Sequence, residues 1–303
     1  MRQRWIPIWF LATLAVAAQA PVAVVPFELF HNRVYLPVRV NGQSPIAMVL
    51  DTGAADFGLD TKVAPALGVV ATSTADLVGN GEVNQKIGLA RDVRFELGSA
   101  AIVEKMVALV PFAQLEAREG HAVPGVVGVD IFRRFVVEID YLAKTVSLFA
   151  PGAFSYAGPG VVVPLRISSS AIFNATVACQ GHPPLATRLA IDTGTYSGLL
   201  LHRPFAQDHA LLHDAALQPR PDTGFGVGGD FPVERTERCE LQIASLHIAD
   251  PGAMLSEAAT GASANNRVDG TIGGAILCRY RVTIDYPHSR MILENRAPAT
   301  PPN

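Results

Sequence analysis

The chain has 303 residues, 49% hydrophobic and 17% charged, with a formal net charge of −3. That balance supports sizeable buried cores in one large or two medium domains and argues against a disordered chain. The absence of a basic block argues against nucleic acid and anionic membrane surfaces as partners.

Met1 to Ala20 reads as a targeting segment. Arg2 and Arg4 give it a basic start, Ile6 to Ala17 is an apolar run too short to span a bilayer comfortably, and small residues follow. Cleavage after Ala18 is preferred to cleavage after Ala20, which would set Pro21 beside the cut. The expectation is a signal peptide over 1–18 (or to 20) and an exported protein, periplasmic or secreted, with no stable membrane insertion once the leader is gone. An anchor left uncleaved is the alternative. Loss of Arg2 and Arg4 with the leader deepens the net charge to about −5.

A first lobe is expected over 21–150. It opens on Val24-Val25-Pro26-Phe27, followed by the alternating strand Val34 to Val40, the hairpin turn Asn41-Gly42, and a strand that runs into Asp51-Thr52-Gly53-Ala54. Asp51 then sits on a tight turn where Gly53 can take a backbone conformation that other residues resist. One short helix fits between Asp60 and Val70. Leu77 to Val83 reads as a hairpin tip, a candidate flap carrying Val78, Gly79, Asn80 and Gly81. Strands continue from Val93 to Val110, and the polar stretch Glu116 to Ala122 reads as a loop. The lobe closes with Gly125 to Phe132, a short helix to Phe135, and the hairpin Val137 to Leu148.

Pro151 to Gly160, rich in Gly, Pro and Ala, reads as a linker. The same phrases then return over 161–295: Val162-Val163-Pro164-Leu165, a strand from Ile172 to Cys179, a turn at Gln180-Gly181, and a strand into Asp192-Thr193-Gly194-Thr195. The two Asp are 141 residues apart, and the apolar-Gly pair Gly128 and Gly273 and the Asp-Tyr pair Asp140 and Asp285 are each 145 apart. A third Asp-Thr-Gly at Asp222 lacks a preceding apolar strand and reads as part of a second flap, Asp222 to Phe231, with Phe225, Gly226, Val227 and Gly228 at its bend. Arg296 to Asn303 is Pro-rich and reads as a flexible tail.

Cys179, Cys239 and Cys278 allow at most one disulfide. Cys239 with Cys278 and three buried free thiols are both open. His209 and His213 stand one helical turn apart, but no general-base Glu or third ligand accompanies them, so exposed histidines on a helix face are expected and no metal.

These residues resemble aspartic peptidases of the retropepsin and pepsin type. The resemblance rests on the doubled apolar-apolar-Asp-Thr-Gly, the Gly-bearing flaps and the late apolar-apolar-Gly, and it covers nearly the whole mature chain. Asp51 to Asp56 is closer to retroviral wording, whereas tandem lobes in one chain are pepsin-like; the whole looks like a bacterial-style exported chain of two fused retropepsin-like lobes. The first flap lacks the Tyr of the pepsin kind. The resemblance implies an all-β, bilobal acid-protease fold with two homologous β-barrel-like lobes and a few short helices, acting as a monomer. It implies Asp51 and Asp192 as the catalytic pair, supported by Thr52, Gly53, Thr193 and Gly194, and no cofactor. Two carboxylates sharing one proton can activate water and protonate a peptide carbonyl at once. Thr195 could donate to Asp192 and favour its ionisation, whereas Ala54 has no hydroxyl for Asp51, so an asymmetric pair is expected. The expected substrate is an extended polypeptide, cut as an endopeptidase cuts it. A non-catalytic peptide-binding or scaffolding protein on the same fold is the alternative, and a dedicated processing enzyme for one membrane-bound partner is a third reading.

Overall fold

The structure, a computed structural model, describes residues 20–79, 81 and 83–295. The expected leader (1–18), Asn80 of the first flap and the tail (296–303) lie outside the described residues. No helix among the described residues is long and apolar enough to cross a membrane.

The fold is all-β. The first half supplies β1 (Ala23–Pro26), β2 (Glu28–Phe30), β3 (Arg33–Val40), β4 (Ile46–Leu50), β5 (Phe57–Asp60), β6 (Ser73–Leu77) and β7 (Gln85–Ala90). It continues with β8 (Val93–Leu97), β9 (Ala100–Glu104), β10 (Val107–Val110), β11 (Gly125–Val127), β12 (Val136–Asp140) and β13 (Thr145–Phe149). The second half supplies β14 (Val161–Pro164), β15 (Arg166–Ile167), β16 (Ala171–Cys179), β17 (Leu185–Ile191), β18 (Leu199–Leu201), β19 (Arg220–Gly226) and β20 (Gly229–Thr236). After these come β21 (Cys239–Ile243), β22 (Leu246–Ile248), β23 (Ala253–Ser256), β24 (Gly270–Ile272), β25 (Tyr280–Asp285) and β26 (Arg290–Asn295).

Two of the three sheets have the same plan. One runs β6-β7-β10-β5-β11-β4-β3-β8-β9 with β2 on β3, and the other runs β19-β20-β23-β18-β24-β17-β16-β21-β22 with β15 on β16. Every strand of the first has its counterpart thirteen strands later in the second. In each, the strand that leads to the Asp lies parallel to a late apolar strand: β4 beside β11, and β17 beside β24.

The third sheet is shared by the halves. Its order is β1-β13-β12-β25-β26-β14, with β12 and β25 paired from Val137 opposite Ile284 to Asp140 opposite Arg281. The two hairpins read as the ends of separate lobes therefore join edge to edge. Val137, Ile139, Val282 and Ile284 are fully buried there, each side chain contributing about 1.5–3 kcal/mol relative to exposure.

The turn chemistry follows the residues. Asn41 and Gly42 take φ of 49° and 75°, the pair of left-handed conformations that a tight hairpin turn needs. Ala64–Leu67 is the expected short helix, of 3-10 type. Glu116 to Ala122, expected as a loop, is instead mostly helix α1 (Ala113–Glu119). Ala, Gln, Leu, Glu and Arg are strong helix formers, and left-handed Gly120 closes the end by donating to the Glu116 carbonyl at 2.9 Å. The remaining α-helices are α2 (Asp130–Arg134), α3 (Arg203–Asp208) and α4 (Gly274–Leu277).

A disulfide links Cys179 to Cys239, and Cys278 is free of a disulfide. Neither expected arrangement of the cysteines holds. Cys179 and Cys239 are directly opposite each other where β16 pairs with β21, a proximity that depends on strand register rather than on spacing along the chain.

Candidate active site

Asp51 and Asp192 each stand one residue past a strand end, held by the neighbouring parallel strand. The Asp51 N–H donates to the Val127 carbonyl at 3.0 Å and the Asp192 N–H to Ile272 at 2.9 Å. Although 141 residues apart in sequence, the two carboxyl groups share a hydrogen bond. The threonines fix the two turns to each other: the Thr52 and Thr193 N–H groups each donate to the other's hydroxyl oxygen at 3.0 Å. The hydroxyls donate in turn to the Ile191 and Leu50 carbonyls at 2.8 Å. Both threonines are buried, so this network is shielded from competing water.

The conformational freedom expected of the glycines is not what the turns use. Neither Gly53 nor Gly194 has a positive φ. What excludes a side chain is proximity, because a Cβ on Gly194 would lie 2.2 Å from Cγ of Asp51. Both glycines also donate to carboxylates, Gly53 to Asp51 Oδ1 at 2.7 Å and Gly194 to Asp192 Oδ1 at 3.0 Å.

The expected asymmetry, with Thr195 favouring the ionised form of Asp192, does not hold. The Thr195 hydroxyl lies 3.3 Å from the Ser197 hydroxyl and makes no bond to Asp192. The asymmetry is in the backbone: Asp51 receives a second N–H from Ala54 at 3.2 Å. Burial pushes both carboxyls upward, and Asp192 reaches about 7 because the charge of Asp51 adds to burial. Arg33 and one glycine amide oppose the burial at each aspartate, Gly53 at Asp51 and Gly194 at Asp192, and Asp51 has the Ala54 amide besides. Asp51 is thus the better-supported carboxylate, and its charge favours the protonated form of Asp192.

The two expected flaps meet. The first is the β6–β7 hairpin, with Val78, Gly79 and Gly81 at its tip, and the second is the β19–β20 hairpin, bending at Gly226, Val227 and Gly228. Gly81 donates to the Val227 carbonyl at 2.9 Å and Val83 to the Gly228 carbonyl at 3.1 Å. A Cβ on Gly81 would fall 2.0 Å from the Gly228 carbonyl carbon, so the two tips touch backbone to backbone. Asp222 of the third Asp-Thr-Gly is an exposed strand residue paired with Arg235 at 2.9 Å.

Phe225 stacks on Tyr196 with ring centroids 4.5 Å apart and planes at 13°. With His31, Asn32 and Arg118 these rings line a groove of about 410 Å³. Beneath it, buried Arg33 donates from Nε to the Gly194 carbonyl at 2.6 Å and is ion-paired with buried Glu119. Sequence reasoning missed Arg33, Tyr196, Arg118 and Glu119. The available signal was an Arg opening a largely apolar strand that also carries Arg39, and an Arg at a strand end is ordinarily solvated.

The histidines read as an exposed helix face lie elsewhere. His209 follows α3 and packs its ring on Phe205. His213 Nδ1 lies 2.5 Å from buried Glu234 and Nε2 lies 3.6 Å from Glu257. These three could hold a cation, but opposite edges of the imidazole face the two carboxylates, an arrangement that suits an ion-paired histidine rather than a single ion.

No curated protein matches the chain. Residues 36–131, with Asp51 inside them, match the family model described as aspartyl protease, so this stretch is similar to aspartyl proteases and supports a peptidase hydrolase.

Proposed function

We propose that the chain is an aspartic endopeptidase built as two homologous lobes, 21–150 and 161–295, with one catalytic Asp from each. The single observation behind this reading is the hydrogen-bonded carboxyl pair, in which Asp51 is better suited to the charged form and Asp192 to the protonated one. In the first step the Asp51 carboxylate takes a proton from water, the water oxygen bonds to the scissile carbonyl carbon, and Asp192 gives its proton to the carbonyl oxygen. In the second, a hydroxyl of the tetrahedral adduct returns a proton to Asp192. Asp51 passes its proton to the amide nitrogen, and the C–N bond breaks. The starting charge state is restored without metal or covalent intermediate.

The substrate is an extended polypeptide lying between the lobes, its main chain pairing with the flap strands. Lifting one flap tip from the other breaks the Gly81 and Val83 hydrogen bonds, so admission of substrate is a gated step. Export agrees with the leader-like N-terminus and with the Cys179–Cys239 disulfide, which persists in oxidising compartments.

A peptide-library digest of the mature protein, with and without pepstatin and beside Asp51→Asn and Asp192→Asn, tests the reading. Cleavage blocked by pepstatin and by either substitution supports it. Cleavage that survives both substitutions overturns the pair, and pepstatin binding without cleavage favours a peptide-binding protein.

A further inference from the structure

Arg33 lies on the other side of the pseudo-symmetry from anything comparable. Tyr35 is opposite Val49, two residues before Asp51, and Ile172 is opposite Ala190, two residues before Asp192. Counting back two residues places Ser170 in the second half where the first half has Arg33. The repeat therefore provides one arginine beside the aspartate pair and only a hydroxyl at the matching place.

That arginine reaches across to the other half. Its Nε donates to the carbonyl of Gly194, whose own amide holds Asp192 Oδ1 at 3.0 Å. Nη1 is paired with Glu119 at the end of α1, and Glu119 also faces His31 Nδ1 at 3.1 Å. The guanidinium carbon is 5.4 Å from the Tyr196 ring centroid and 5.9 Å from that of Phe225. Arg118 lies 5.5 Å from the same Phe225 ring. Only 5% of the Arg33 side chain and none of the Glu119 side chain is exposed. A buried ion pair is costly to desolvate unless further hydrogen bonds complete it, and here the bond from Nε to the Gly194 carbonyl does so.

We propose that Arg33 is a positioning residue of the aspartate pair: it holds the Gly194 turn by its carbonyl and supplies a buried positive charge that Glu119 partly neutralises. The inference rests on the proposed peptidase reading for its consequence in catalysis, but its electrostatic part belongs to the pair itself. The groups facing Arg33 are Asp51 and Asp192 from the two turns, Glu119 and Arg118 from α1, and His31 and Tyr35 from beside or on its own strand. Tyr196 lies beyond the second turn and Phe225 comes from the second flap. Arg33 favours the charged form of both aspartates. Removal of its charge raises the pH at which the pair loses its shared proton, whereas removal of the Glu119 charge lowers it. Substitution of a merely structural ion pair would change the amount of folded protein or the rate without moving the titration in opposite directions.

The experiment follows the 13C-carboxyl resonances of Asp51 and Asp192 against pH in the wild type, Arg33→Met, Arg33→Lys and Glu119→Gln, beside pH profiles of kcat/KM. Near-UV circular dichroism establishes that each variant is folded. The expected result is an upward shift of about one pH unit for Arg33→Met, a downward shift for Glu119→Gln and a position near wild type for Arg33→Lys. If Arg33→Met does not fold, Glu119→Gln and Arg33→Lys decide alone. A titration of folded Arg33→Met or Glu119→Gln that coincides with wild type, or a shift of both in one common direction, overturns the proposal. Shifts of the expected sign in a protein that cuts no peptide would leave Arg33 in this role and remove the peptidase reading.

Discussion

Thr52 and Thr193 hold each other by the same two bonds given and returned: each N–H reaches the other's hydroxyl at 3.0 Å, and each hydroxyl reaches the carbonyl before the opposite Asp at 2.8 Å. Thr193→Val would keep the shape and leave the Thr52 N–H and the Leu50 carbonyl buried without partners. The expected cost is about 2–4 kcal/mol in urea unfolding, with a fall in kcat. Thr193→Ser keeps the hydroxyl and should stay within about 1 kcal/mol of wild type.

Gly194→Ala should abolish cleavage while leaving most of the fold intact. The added methyl would lie 2.2 Å from Cγ of Asp51, so the two turns must move apart and the shared hydrogen bond is lost. Peptide hydrolysis and the carboxyl titration together check this, since the paired titration should give way to two independent ones.

Stability should fall as pH rises from about 4 to 7. Asp192 has a folded-state value of about 7 against 3.8 for the free side chain. Below 3.8 it is protonated in both states and costs nothing. Between the two values the unfolded chain ionises first and folding loses ground, levelling off above 7. The change is of the order of a few kcal/mol. Asp192→Asn, which has no charge to bury, should flatten that slope in denaturant titrations at pH 4, 5.5 and 7.5.

Reduction should destabilise the second half. The Cys179–Cys239 disulfide closes a separation of 60 residues, and loops of that size correspond to about 4 kcal/mol in the chain-entropy account. Cys179→Ala with Cys239→Ala should lower the melting temperature and abolish its sensitivity to dithiothreitol.

Gly81→Ala should weaken the contact between flaps. Its Cβ would fall 2.0 Å from the Gly228 backbone, forcing the tips apart and removing the Gly81 and Val83 hydrogen bonds to the second flap. KM should change more than kcat for a long peptide, and amide exchange at Val83 should quicken.

Much of this was legible in residues 21–295 before folding. The doubled Asp-Thr-Gly phrase placed both turns, alternating apolar residues placed the strands that lead to them, and Asn41-Gly42 marked its own hairpin. Those signals are local: strand periodicity, turn propensity and a repeated phrase lie within a few neighbours along the chain. Polarity alone misled over Glu116 to Ala122, where helix propensity decided the outcome and brought Glu119 to Arg33.

What the chain order did not contain is which distant groups meet. The Cys179–Cys239 pairing depends on the register of two strands, and the shared six-stranded sheet on an edge left open by each half. Arg33 becomes a buried neighbour of the Gly194 carbonyl, 161 residues away, only when both halves close around it. The sequence by itself determined the elements and the two acidic turns, because local backbone preferences act within a few residues. Only the tertiary structure decided their burial and partners, because burial and Coulombic contact depend on distance in space.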